Sequence, residues 1–216
     1  MTRERNNTIK AARHLLESGT TESNKICHAI VEIGKPYDSK IIAEHASLVA
    51  TYLNHPDCLV RHEAIWYLGS WGHLPEYVPQ LLAAADGDLD PDNRAFATRS
   101  LGTILRHKKD RSLTGYLLDV IDNEREEADV RLWSYSYSGL LYAWNRPDDF
   151  AVGINARPIS EVDQDFVDQL KKWTRNEGDM PPITPRKGIL ASLFNAWRIN
   201  REITSSTAST LEQGHD

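Results

Sequence analysis

The chain has 216 residues, of which 25 are Lys or Arg and 31 are Asp or Glu, for a formal net charge of −6 with histidine neutral. Hydrophobic residues make up 40% and charged residues 26%, a globular composition too apolar for a disordered chain. The acidic balance argues against a nucleic-acid binder, which must neutralise phosphates, and the two cysteines, Cys27 and Cys58, are too few for a disulfide framework or a cysteine zinc site.

Residues 1–7 are followed by no apolar h-region, so no secretory signal is expected and the chain reads as cytoplasmic. No run of about 18 apolar residues occurs, which predicts no membrane span. Ile9, Ala12 and Leu16 keep helical spacing and predict a capping helix. Two further helices follow, one through Ile26, Ile30 and Ile33 and one through Ile41, His45, Leu48 and Tyr52.

A repeat begins at residue 57. Asp57, Arg61, Ala64, Leu68 and Gly69 recur as Asp90, Arg94, Ala97, Leu101 and Gly102, with 33 residues between the arginines. A third copy keeps Glu127, Arg131, Ser134 and Gly139 and replaces the leucine by Ser138. An acid four residues before an arginine lies one helical turn earlier, near the helix start, where free amides and the dipole favour negative charge. The small residue three after the arginine admits a neighbouring helix, and the glycine ends the helix or permits tight packing. These spacings predict packing roles for Arg61, Arg94, Arg131, Gly69, Gly102 and Gly139. Each motif helix is followed by a second apolar one, through Tyr77, Val78, Leu81 and Leu82, and through Leu113, Leu117, Val120 and Ile121. The unit therefore reads as motif helix, turn, second helix, and stacking is what buries its apolar face.

Pro147 opens a loop that runs through Pro158, and a helix follows at Val162, Phe166, Leu170 and Trp173. A last helix shows Ile189, Leu193 and Trp197, and residues 204–216 read as a disordered tail. No segment alternates with period two, so no strand is predicted. The expectation is one all-α domain over residues 1–203, about ten helices in antiparallel pairs, clearest at 55–144 and with a helical cap at 159–203.

Asp-x-x-Val-Arg-x-x-Ala-x-x-x-Leu-Gly, as it stands at residues 57–69, resembles the HEAT-like repeat of the phycobilin-lyase type. The resemblance implies a right-handed α-solenoid with a concave face. It leaves function open, because relatives of this class include binding scaffolds, bilin lyases, a di-iron hydroxylase, DNA glycosylases and small bacterial immunity proteins.

The residues discriminate among these. A di-iron site needs His-Glu pairs on successive repeats. Here His62 and Glu63 make one pair, the next repeats carry Ala95 and Phe96, then Leu132 and Trp133, and no metal site or other cofactor is expected. A glycosylase needs a basic face, whereas Asp86, Asp88, Asp90 and Asp92 crowd one turn and Asp122, Glu124, Glu126, Glu127 and Asp129 the next. No nucleophile elbow, P-loop or dinucleotide-binding glycine set occurs, so no catalytic residue is assigned. The favoured reading is a protein-binding module, an immunity protein that neutralises a basic toxin with acidic turns steering the partner. The alternatives are a general adaptor or scaffold, or an enzyme of the bilin-lyase, DNA-glycosylase or di-iron-hydroxylase type. Candidate contact residues are Asp86, Asp88, Asp92, Glu124 and Glu126, with Tyr135 and Tyr142 from an aromatic stretch that also holds Trp133, Tyr137 and Trp144.

Overall fold

The computed structural model describes residues 2–35, 37–106, 108–140 and 164–179. Among them the chain forms nine α-helices and no strand. The loop expected from Pro147, Tyr142, Trp144, the last helix and the tail lie outside the described residues.

The helices start where side chains can answer free amides. The Thr2 hydroxyl accepts from Arg5 N–H to open α1 (Arg3–Glu17), and α2 (Ser23–Gly34) follows. Asp38 caps α3 (Ser39–Ala50), accepting from Lys40 N–H at 2.9 Å. Asp57 caps α4 (Cys58–Trp66) through Leu59 N–H, and Asp90 caps α6 (Pro91–Ile104) through Asp92 N–H, each at 2.9 Å. Asp110 caps α7 (Arg111–Asp122) through Leu113 N–H at 2.9 Å. The repeat acids Asp57 and Asp90 are thus N-caps, each typically contributing about 1 kcal/mol. Between them stands α5 (Val78–Gly87), and α8 (Ala128–Leu140) and α9 (Gln164–Thr174) complete the series.

The even-numbered helices form a row in which α2 packs on α4, α4 on α6 and α6 on α8. The odd-numbered helices lie against this row, with α1 on α2, α5 on α6 and α7 on α8, while α9 packs on α7. This is an α-solenoid. It also corrects the phase of the unit. The motif helix pairs with the helix before it, so the units are α5 with α6 and α7 with α8, rather than a motif helix with its successor. The core runs between the layers through Ile26, Ile30, Ile33, Ile65, Leu81, Leu101 and Leu117, all fully buried.

Small residues set the spacing of the row. Ala64, Ala97 and Ser134, each three after its arginine, are fully buried. A Cβ on Gly69 would overlap the Ser100 side chain, and one on Gly102 would overlap the Tyr137 ring. Gly69 and Gly102 are therefore contact points for the next motif helix. α4 runs directly into a π-helical turn at Tyr67–Trp71, closed by Gly72 N–H to Tyr67 C=O at 2.9 Å. That turn packs on α3, and the Tyr67 hydroxyl donates to Ile42 C=O at 3.1 Å.

Candidate protein-interaction surface

The repeat arginines define the edge where the layers are joined. Arg61 donates through Nε and Nη2 to the two Asp88 carboxylate oxygens, at 2.8 and 2.7 Å, and through Nη1 to the carbonyls of His55 and Pro56. Arg94 makes the same fork onto Glu126, with Nη2 to Oε1 at 2.6 Å, and its Nη1 reaches Asp88 C=O at 2.8 Å. Arg131 donates to Ile121 C=O at 2.8 Å. Each arginine pins the turn before its own helix, and the first two also clasp the acid of the following turn.

This geometry sorts the sequence-predicted contact residues. Asp88 has a side chain only 3% exposed, and Glu126 14%. Both carboxylates are engaged inside the chain, because they neutralise arginines that the fold buries. They are therefore structural residues and not part of a free acidic surface. Burial alone would raise the pKa of each. The arginine hydrogen bonds and charge outweigh it and hold both below the ordinary carboxylate range. Asp86, Asp92 and Glu124 are exposed on the same edge, beside exposed Glu127 and Asp129. Tyr135 is half-buried in α8, packed against the core, and Tyr142 lies outside the described residues.

Asn93 was not singled out by sequence reasoning. It is 1% exposed, and its side-chain amide donates to Cys58 C=O at 3.0 Å while its Oδ1 lies 3.2 Å from His62 Nδ1. It ties the start of α6 to the first turns of α4.

A second feature occupies the face of the motif helices. His62 packs edge-on against Phe96 with ring centroids 4.3 Å apart, and Trp66 lies 5.0 Å from Phe96. Arg99 stands between two indoles, its guanidinium carbon 5.5 Å from the Trp66 ring centre and 5.6 Å from that of Trp133. Trp133 stacks in turn on Tyr137 at 5.3 Å. Burial pushes the Tyr137 hydroxyl up to about 12, partly offset by Arg99, which also hydrogen-bonds to it. Trp66, Phe96 and Arg99 are half-buried, so the strip is reachable from one side. His62 and Glu63, expected on a solvated helix face, are half-buried here, and burial raises the Glu63 carboxyl against the opposing pull of His62. Among the described residues no three His, Cys, Asp or Glu side chains gather as a metal site.

Arg99 escaped notice because it falls outside the repeat's matching positions. The available signal was that Trp66 and Arg99 both stand five residues after a repeat arginine, on neighbouring helices.

No helix among the described residues is long and apolar enough to cross a membrane. A family model described as HEAT repeats matches residues 45–136, which spans α4 to α7 whole and most of α8. No curated protein and no solved structure matches the chain significantly.

Proposed function

Since this chain is a HEAT-like repeat protein, and such repeats serve as interaction scaffolds, we propose that it binds a basic protein partner along its acidic inter-repeat edge. The observation that carries this reading is the internal pairing. Arg61 and Arg94 are each cancelled by Asp88 and Glu126, so the exposed charge left at the two turns is dominated by Asp86, Asp92, Glu124, Glu127 and Asp129. Such an edge attracts a cationic partner over a Debye length and raises its association rate.

The specific form of this proposal is an immunity protein that masks a basic toxin in the cytoplasm. The experiment is co-expression with a basic, toxin-like protein encoded beside the gene. Wild-type chain is expected to restore growth and to form a complex that weakens steeply with salt. The triple reversal Asp86→Lys, Asp92→Lys, Glu124→Lys should keep its helical circular dichroism and lose both effects. Rescue undiminished by the triple reversal would refute the acidic edge as the binding surface. A salt-dependent complex with a harmless basic protein would support an adaptor rather than an immunity role.

A further inference from the structure

The motif-helix face carries a cation whose surroundings differ from those of the repeat arginines. Arg61 and Arg94 each fork onto a carboxylate, whereas Arg99 has two indole faces and the Tyr137 hydroxyl, and no carboxylate among the described residues pairs with it. The indole N–H of Trp66, on the same strip, is buried and without a hydrogen-bond partner among the described residues. A guanidinium with no carboxylate beside it suits an acceptor with negative charge. Beside it lie the flat, apolar and half-buried rings of Phe96 and Trp66, while Trp133, only 7% exposed, flanks the guanidinium on its other side. Trp, Tyr and Arg are also the residues in which binding energy concentrates at protein interfaces.

We infer that the Trp66–Arg99–Trp133 strip is a docking site for a short apolar and acidic segment of a protein partner, with an Asp or Glu carboxylate on Arg99 and an adjacent Leu or Phe on Phe96. Charge selects this occupant. A single cation suits a single carboxylate, while a nucleic-acid backbone would bring a row of phosphates past the acidic edge of a chain whose net charge is −6. Two copies of so acidic a chain also repel each other. Glu63, a carboxylate on this face, lies beside His62 and Cys27, on the α2 side of Trp66. The ligand carboxylate is therefore directed to the α6–α8 side. This surface is distinct from the acidic edge, so the chain would hold a basic partner and an acidic segment at different places.

The test is selection of a phage-displayed random peptide library on the full chain at physiological salt. Enriched peptides are expected to carry Asp or Glu next to Leu or Phe. A synthetic peptide from that pool should quench tryptophan fluorescence and lose affinity about tenfold or more on Arg99→Gln, which keeps the stem between the indoles. Replacing the peptide's acids by their amides should cost the same in wild type and nothing further in the variant. Arg99→Lys, with its charge retained, should recover part of the loss, and thermal unfolding of both variants reports whether the fold is kept. Absence of any enriched peptide would overturn the proposal, as would binding unchanged by Arg99→Gln. Enrichment of basic peptides that bind only an intact Asp86, Asp92 and Glu124 would support the acidic edge and overturn this site. Displacement of the peptide by single-stranded oligothymidine at lower concentration than by free acidic peptide would reassign the strip to nucleic acid.

Discussion

Replacing Arg61 by Ala removes four hydrogen bonds at once. Two are charged forks onto Asp88, at 2.8 and 2.7 Å, and two hold the carbonyls of His55 and Pro56, at 2.9 and 3.0 Å. The pair sits in little water, with side chains 11% and 3% exposed. Deleting one partner of such a pair costs about 3–5 kcal/mol, chiefly because the other charge stays buried alone. Asp88 is not wholly stranded, since Asp90 N–H still donates to it at 2.9 Å and the Asn93 amide lies 3.5 Å away. The expected loss is therefore at the lower end, about 3 kcal/mol. Adding Asp88→Asn to Arg61→Met removes the stranded charge and keeps an acceptor for Asp90 N–H. It should recover about half of the loss. Urea unfolding followed by circular dichroism measures both variants, and amide exchange in α4 and α6 places the loss, because repeats can open in segments. A loss below about 1 kcal/mol, the range of an exposed ion pair, would refute the reasoning. So would a double variant no more stable than the single one.

Acid should weaken the same ladder. Asp88 and Glu126 are held below their ordinary range in the folded chain, so the unfolded state takes up their protons first. Their contribution is full above about pH 5 and is lost as pH falls through the ordinary carboxylate value near 4 and on through the folded one. Thermal midpoints from neutral to acid pH should fall accordingly, and a flat profile would contradict the pairing. Gly69→Ala should destabilise by about 1–3 kcal/mol through overlap with Ser100, and Ser100→Gly in the same chain should relieve it, both read in urea. Gly115→Ala, in α7 with open space around it, should instead stabilise by up to about 1 kcal/mol, which a rise in thermal midpoint would show. Tyr67→Phe should cost about 1 kcal/mol in urea unfolding by deleting the bond to Ile42 C=O.

The repeat itself was legible because its parts are local. A cap acid, an arginine one turn later, a small residue and a glycine answer needs met within one helix or at its contact with the next. The phase of the repeat was not legible, since a period carries no information on which neighbour pairs with which. Asp88 and Glu126 looked like members of an acidic cluster for a related reason. They lie 27 and 32 residues from their arginines, so no fixed spacing marks them out from Asp86 or Glu124. Ile9, Ala12 and Leu16 illustrate the easy case, one apolar face of one helix, all buried as their spacing predicts. Arg99 illustrates the hard one. Its environment is made by tryptophans from two other helices, and only the stacking of the row brings them together.

Those unequal distances have a consequence for how such an array can lengthen or shorten over time. The arginine is anchored at a set place on its helix, while its acid is chosen by where the following turn passes in space. Insertions within the second helix or its loop can shift the acid's number without moving it off the arginine, provided the turn still carries a carboxylate there. A family built this way need not preserve a strict period to preserve its stacking. Its members could diverge in unit length, and in everything the intervening loops display, while the joints between units stay chemically the same.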